Sequence, residues 1–164
     1  MNKILFIVMV FLSLNLSAKK PCDSEEYKQF DFWVGTWDVY SRDGKKVGVN
    51  RISKELGGCI LKEHYTTDKG FEGKSFNIFD VNHNTWHQTW VDNSGTLLKL
   101  DGKWNGTVMT LKGEGKNKEG KKVIHRIEWK PKKNGDVHQV WDSSIDKGLH
   151  WSSVFYGVYQ KQKQ

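Results

Sequence analysis

Short apolar segments alternate with tight-turn sequences along most of the chain, and this pattern restricts the fold more than any other feature. The turn segments "RDGK", "NHNT", "DNSG", "WNGT", "KEGK" and "KNGD" place Gly, Asn or Asp where a backbone reverses between two strands. About ten strands are predicted between such turns, at 36–41, 46–54, 59–67, 73–80, 85–92, 96–101, 106–112, 122–130, 136–143 and 150–160. The pattern therefore predicts an all-β domain of consecutive antiparallel strands.

Helical periodicity is almost absent from the chain. The exception is "CDSEEYKQFDF" (22–32), where Asp23 or Ser24 could cap a short helix that carries Glu25 and Glu26 in its first turn. Ten meandering strands without crossover helices leave either a closed barrel or a two-sheet sandwich. A closed barrel has no exposed strand edges, and its lumen at this size can hold one small ligand.

The first 18 residues have the layout of a signal peptide. Lys3 precedes an apolar stretch from Ile4 to Leu14 that is too short to span a bilayer, and the small residues Ser17 and Ala18 follow it. We expect cleavage after Ala18, which leaves residues 19–164 as a single domain in the periplasm or outside the cell.

The predicted export also bears on the two cysteines, Cys22 and Cys59. An oxidising compartment lets them form a disulfide, which would contribute about 4 kcal/mol of stability on the chain-entropy model. The alternative is a pair of buried free thiols.

The formal net charge of +7 is strongly basic, but its distribution argues against an anionic polymer as partner. The lysines cluster in the turn segments 112–122 and 130–135 and in the C-terminal tail, where a solvated, solubilising role explains them. The chain has only three arginines, and we expect no nucleic-acid partner for an exported protein of this kind.

A Gly-x-Trp motif within "FDFWVGTWDVY" (30–40) opens the first predicted strand. Together with "GVNRI", "GGCILKEHYT", "GKSFNIFD", "WHQTWVDNSG" and "DKGLHWSSVFYGVY", it resembles an uncharacterised lipocalin-like family of exported bacterial proteins in the calycin superfamily. The resemblance covers nearly all of residues 19–164. It implies an antiparallel up-and-down β-barrel of about ten strands, like those of lipocalins and fatty-acid-binding proteins, with a short N-terminal helix and a ligand cavity.

Two departures limit what the resemblance implies about the ligand. The link "SRDGKK" between the first two strands is too short for the helical lid of fatty-acid-binding proteins, and the last strand lacks the arginine that closes lipocalin barrels. The family brings no established reaction or substrate, and a fatty-acid specificity is not implied.

The sequence His-Gln-x-Trp occurs twice, in "WHQTWVD" (86–92) and in "VHQVWD" (137–142). Because side chains alternate along a strand, Gln88 and Trp90 share one face, and Gln139 shares a face with Trp141. With the aromatic faces inward, the repeat places two Gln/Trp pairs in one interior and both histidines outside. The alternative is that the tryptophans are core residues and that the glutamines bond backbone groups at strand ends.

Glu63 lies on the same predicted face as Cys59, Leu61 and Tyr65. A carboxylate on an apolar face is costly unless it is paired or used by the protein. We therefore treat Glu63 as a candidate functional residue of the lumen.

The other candidates depend on the resemblance or on weaker patterns. The resemblance favours an inward direction for Ser75, Asn77 and Asn50, whereas alternation alone does not choose a face for the first two. Arg126 is retained only as a possible partner in the ligand site, because the apolar residues of its strand occupy the opposite face. The predicted ligand-binding residues are Asn50, Glu63, Ser75, Asn77, Gln88, Trp90, Arg126, Gln139 and Trp141.

These residues predict an exported barrel that binds a small polar-aromatic or amphiphilic ligand in its lumen. The alternative is a small barrel enzyme, an isomerase, cyclase or hydrolase, with Glu63 as general acid or base. We expect binding rather than catalysis, and no cofactor. We expect no metal either, because His83, four residues before His87, lies in the turn "VNHNT", and no other potential ligands have suitable spacing. A membrane span is not expected either, and a monomer is the expected form, although the sequence does not determine the oligomeric state.

Overall fold

The computed structural model describes residues 21–117 and 119–163, in which ten strands form one closed antiparallel barrel. Each strand pairs with its neighbours in sequence, and the first strand pairs with the last. The strands are β1 (Gly35–Tyr40), β2 (Lys46–Glu55), β3 (Ile60–Thr66), β4 (Glu72–Asp80), β5 (Thr85–Asp92), β6 (Leu97–Trp104), β7 (Met109–Lys116), β8 (Lys122–Pro131), β9 (Val137–Ser144) and β10 (Ser152–Lys161). The up-and-down barrel predicted from the sequence is confirmed, and the sandwich is excluded.

A short helix, α1 (Glu25–Lys28), precedes the first strand, as predicted, and 3-10 turns occur at Asp31–Trp33 and Leu56–Gly58. Among the described residues, no helix is both long and apolar enough to cross a lipid bilayer. The predicted signal peptide (1–18) lies outside the described residues.

The sixth and seventh strands end later than predicted, at Trp104 and Lys116, and the seventh also begins later, at Met109. Their reversal is centred on Asn105, whose side-chain oxygen accepts hydrogen bonds from the backbone N–H groups of Thr107 (2.9 Å) and Val108 (2.8 Å). In β7, Gly113 and Gly115 continue the strand instead of ending it. A Cβ atom at Gly113 would lie 2.0 Å from the Lys99 carbonyl oxygen, so glycine permits a close approach between strands here.

The N-terminal segment closes one end of the barrel with aromatic side chains. Phe30 and Trp33 have no exposed surface, and their rings stack at a centroid distance of 5.0 Å. Phe30 also contacts Trp86 and Trp129 edge-on, at 5.5 and 5.2 Å. These large rings pack the lower barrel, and the cavity described below lies toward the opposite end.

The disulfide joins this N-terminal segment to the barrel wall. Cys22 is bonded to Cys59, which lies in the connection between β2 and β3. The predicted bridge is therefore present, and the alternative of two free thiols is excluded.

Replacing both cysteines with serine should lower the free energy of unfolding by about 4 kcal/mol, because the bridge restricts a 37-residue loop in the unfolded chain. Urea unfolding of the oxidised parent and of the double variant measures this difference. A reductant should bring the parent to the stability of the variant and leave the variant unchanged. Equal stability of the oxidised parent and the variant would show that the bridge contributes nothing.

Trp37 should be a major packing residue of the closed end. It is 1% exposed, and its indole N–H donates to the Trp33 carbonyl oxygen at 2.8 Å. Trp37→Ala should cost about 3–5 kcal/mol of stability through the cavity it creates. In urea unfolding, Trp37→Phe should lose less, and so should Trp151→Ala, which removes a partly exposed tryptophan. A Trp37→Ala variant as stable as the parent would contradict this packing role.

Candidate functional site

A cavity of about 290 Å³ occupies the barrel above the aromatic closed end. Its mouth lies at the end formed by the β3–β4 and β9–β10 connections, where Phe71 and Val154 both line the cavity and are partly exposed. Its floor is formed by Glu63, Gln139 and Tyr159, which are all buried. The cavity is therefore a pocket with one entrance side and a polar floor.

The wall combines many aromatic rings with a few polar groups. The aromatic lining residues are Tyr65, Phe71, Trp90, Trp141, Phe155 and Tyr159. The polar lining residues are Glu63, Thr67, Gln88, Asp92 and Gln139. Leu98, Ile127 and Val154 complete the lining with aliphatic surface. An apolar wall with a few convergent polar groups is typical of small-molecule sites.

The repeated His-Gln-x-Trp sequence places both glutamines inside and both histidines outside, as alternation predicted. Gln88 and Gln139 are buried and line the same cavity. On the outer surface, the His87 Nδ1 atom lies 2.8 Å from Asp101, and the His138 Nδ1 atom lies 3.0 Å from the Tyr156 hydroxyl. Within the described residues both glutamines bond side chains and neither bonds strand-end backbone, so that part of the alternative does not describe them.

Glu63 is held by side chains from the two strands that flank its own. Asn50 of β2 donates to its Oε1 atom at 2.7 Å, and the Ser75 hydroxyl of β4 donates to its Oε2 atom at 2.6 Å. Glu63 and Ser75 are opposite each other in the β3–β4 pairing, which explains this contact. The carboxyl group thus has one neutral donor on each oxygen.

The hydrogen bonds continue from Ser75 around the wall to β5. Asn77 donates to the Ser75 hydroxyl oxygen at 2.9 Å, and Gln88 donates to the Asn77 side-chain oxygen at 2.8 Å. Asn77 and Gln88 are opposite each other in the β4–β5 pairing. Asn50, Ser75 and Asn77 are buried behind the lining and position Glu63 and Gln88.

Burial raises the pKa of Glu63 to about 7, and the hydrogen bonds from Ser75 and Asn50 only partly oppose this effect. No positively charged side chain forms an ion pair with Glu63 in the part of the chain described. The carboxyl group can therefore be neutral or ionised near neutral pH. It can act as a proton donor, a proton acceptor or a charged binding partner.

Tyr159 belongs to the floor but was not predicted as a site residue. Its hydroxyl donates to the Gln139 side-chain oxygen and accepts a long bond, 3.5 Å, from Asn50. The signal for it was present, because alternation in "FYGVY" puts Phe155, Gly157 and Tyr159 on one face.

Two polar atoms of the repeated glutamines remain available to a ligand. The Gln88 amide donates its N–H groups to Asn77 and Ser75. The Gln139 side-chain oxygen accepts a hydrogen bond from the Tyr159 hydroxyl. The Gln88 oxygen and the Gln139 nitrogen form no hydrogen bond with another described residue. The cavity thus offers one free amide acceptor and one free amide donor.

Trp90 and Trp141 form the upper wall with their indole N–H groups already bonded. Trp90 donates to Asp92 at 3.1 Å, and Trp141 donates to the Nδ1 atom of His125 at 3.1 Å. His125 was not predicted as an interior residue, yet it is only 7% exposed, and burial lowers its pKa. With their N–H groups bonded, both indoles offer hydrocarbon surface to a ligand.

Arg126 is the one predicted site residue that lies on the wrong side of the wall. It is on the outer face of β8, where it donates to Asp142 at 2.8 Å and stacks over Trp151 at 4.1 Å. The inward positions of this strand belong to its buried residues, including Ile127 and Trp129. Arg126, predicted only as a possible partner among the ligand-binding residues, therefore does not line the described cavity.

The charged groups that line the cavity are both acidic. Glu63 lies at the floor and Asp92 near the mouth, and the lining described contains no Lys, Arg or His. Within residues 21–117 and 119–163, no group of three His, Cys, Asp or Glu side chains is placed to hold a metal ion.

The Glu63→Gln variant should remove a pH dependence of stability. Because the folded-state pKa of Glu63 is raised from 4.5 to about 7, its protonated form stabilises the fold at low pH, and this stabilisation is lost as the pH rises through 7. Between pH 4.5 and 8 the parent should lose on the order of 3 kcal/mol relative to Glu63→Gln. Urea unfolding at several pH values measures this difference.

The matched control is Glu72→Gln, which removes a carboxylate from the outer surface, where the pKa of Glu72 is lowered by hydrogen bonds from Lys74 and His64. This variant should not reproduce the effect. A constant difference between the parent and Glu63→Gln over this pH range would show that Glu63 has an ordinary pKa.

Comparison of the chain with protein-family models and with curated protein sequences finds no match. The resemblance to exported lipocalin-like proteins therefore stays a prediction from the sequence motifs.

Proposed function

We propose that the protein is an exported barrel that binds a small molecule with a polar group and an aromatic or amphiphilic body. The observation that supports this most directly is the polar floor beneath the aromatic wall. Glu63, Gln88 and Gln139 bring acceptor and donor atoms into a pocket lined mainly by hydrocarbon surface. The signal-peptide layout of the first 18 residues and the disulfide support export.

The energetics of Glu63 also favour a functional role over packing. Burying a carboxyl group without a cationic partner costs stability, and a hydrophobic residue of similar size would pack the same position at lower cost. The raised pKa of Glu63 reports this cost. A perturbed acidic residue in a cleft is a recognised property of functional sites.

The cavity volume restricts the size of the ligand. At about 290 Å³, it lies at the lower end of the range of roughly 300–1,000 Å³ common for small-molecule pockets. A compact body of one to three aromatic rings fits this space, whereas a long acyl chain would extend through the mouth.

A second function, a small barrel enzyme, is favoured by one observation. A general acid or base works best when its pKa lies near the working pH, and burial brings the pKa of Glu63 to about 7. Its direct hydrogen-bond partners are Asn50 and Ser75. Recovery of a bound compound after long incubation separates the two functions, because a binding protein returns its ligand unchanged and an enzyme returns a product.

Occupation of the cavity can be measured with N-phenyl-1-naphthylamine, an uncharged aromatic probe whose fluorescence rises in apolar sites. The parent should bind this probe. Leu98→Trp should weaken binding at least about tenfold, because it fills the cavity from the wall. Lys99→Trp, the neighbouring change on the outer face, should alter the affinity less than about twofold.

Native mass spectrometry then addresses the physiological ligand. Protein purified from the cells that produce it should carry a bound small molecule, which Leu98→Trp should lack and Lys99→Trp should retain. A clean apo mass together with no binding of the fluorescent probe would overturn the proposed function.

A further inference from the structure

We infer that the ligand carries a protonated amine, whose ammonium group binds Glu63 at the floor of the cavity while its apolar body lies among the aromatic rings. This inference rests on the proposed function and adds the chemical class of the ligand. It is carried by three features of the described cavity: the sign of its charges, its free acceptor atoms and the rings around them.

The charges of the lining disfavour an anionic ligand and favour a cationic one. Glu63 and Asp92 are the charged lining residues in the part of the cavity that the structure describes, and no cationic side chain stands beside them. A ligand carboxylate would meet the Glu63 carboxylate in a desolvated space without a compensating charge. An ammonium ion would supply the opposite charge that Glu63 lacks.

The free acceptor atoms match the three donors of an ammonium group. Each Glu63 oxygen accepts one hydrogen bond from the protein, so each retains capacity for another. The Gln88 side-chain oxygen accepts none from the described residues, and its amide nitrogen lies 3.4 Å from the same Ser75 hydroxyl that bonds Glu63. A neutral hydroxyl has one proton to donate, and would leave most of these acceptors unsatisfied.

The aromatic rings add a further preference for a cation. Tyr65 and Tyr159 line the cavity beside Glu63, and Trp90 and Trp141 form its upper wall. Ring faces attract ammonium groups, and the attraction strengthens where water is excluded. The Gln139 amide nitrogen remains as a donor that can orient an acceptor elsewhere on the ligand.

Binding of an ammonium ion should release the proton held by Glu63. The groups that face Glu63 are the neutral side chains of Asn50 and Ser75 and the phenols of Tyr65 and Tyr159. Burial and Glu63 raise the pKa of Tyr65 to about 12, and burial raises that of Tyr159 well above its usual range, so both phenols stay neutral between pH 6 and 8.

At the mouth, burial alone would raise the pKa of Asp92. Hydrogen bonds from Ser94, Trp90 and the Thr96 backbone outweigh that effect and lower it, so Asp92 stays ionised. Glu63 is therefore the group in the cavity that titrates in this pH range.

The test uses three ligands with the same body: 1-naphthylmethylamine, 1-naphthalenemethanol and 1-naphthoate. Isothermal titration calorimetry at pH 8 should show that the amine binds about tenfold or more tightly than the alcohol, and that the carboxylate binds most weakly. The affinity of the amine should rise about tenfold from pH 6 to pH 8, because Glu63 ionises with a pKa of about 7. The affinity of the alcohol should not change.

Two variants separate the role of Glu63 from overall charge. Glu63→Gln should reduce the affinity for the amine to that for the alcohol and abolish its pH dependence. Glu72→Gln makes the same substitution on the outer surface. It should leave the affinity for the amine and the pH dependence of that affinity unchanged. If Glu63→Gln proves unstable, the pH dependence of the parent still decides the matter.

Equal affinities for the amine and the alcohol, or a carboxylate that binds as tightly as the amine, would overturn this inference. Binding of the uncharged fluorescent probe, N-phenyl-1-naphthylamine, is measured in parallel. If it still binds while the amine shows no preference, the inference fails and the proposed binding function stands. If neither the probe nor any of the three compounds binds, and the purified protein also shows a clean apo mass, the proposed function fails as well.

Discussion

Pairing of the first strand with the last is the constraint on which the rest of the structure depends. Trp37 of β1 lies opposite Lys161 of β10, and Tyr40 lies opposite Val158. This pairing converts an open meander into a closed wall, so that every inward side chain of ten strands enters one shared volume. Without it, the two glutamines of the repeated sequence would lie on one face of an open sheet and would not share an enclosed pocket.

The enclosed volume is divided between a packed end and an open end. Phe30 and Trp33 bring aromatic surface from the N-terminal segment into the lower barrel, where Trp86 and Trp129 meet them. This cluster provides the dense hydrophobic packing that stabilises the fold. The upper barrel can then hold polar side chains and empty space, at a cost in stability that the lower barrel offsets. The separation explains how a small domain keeps a buried carboxyl group such as Glu63.

Alternation along strands made much of the site predictable. It correctly placed Gln88 and Gln139 inside, and it placed Glu63 on the buried face of its strand. It also argued against an interior Arg126, and the structure follows the alternation rather than the weaker hypothesis of a charged partner. Tyr159 could have been found in the same way, because its strand alternates as clearly as the others.

The sequence by itself determined the strands, the faces of their side chains and the two cysteines available for a bridge, because these follow from local backbone geometry and residue type. The strand pattern left a barrel or a sandwich open, and the structure shows the barrel that the resemblance implied. Only the tertiary structure showed that Asn50 and Ser75 are the partners of Glu63, and that no cation among the described residues forms an ion pair with it. Those properties depend on the register between strands and on which distant side chains share one interior. A two-residue periodicity carries no information about either, since it repeats identically in every strand whatever its neighbours are.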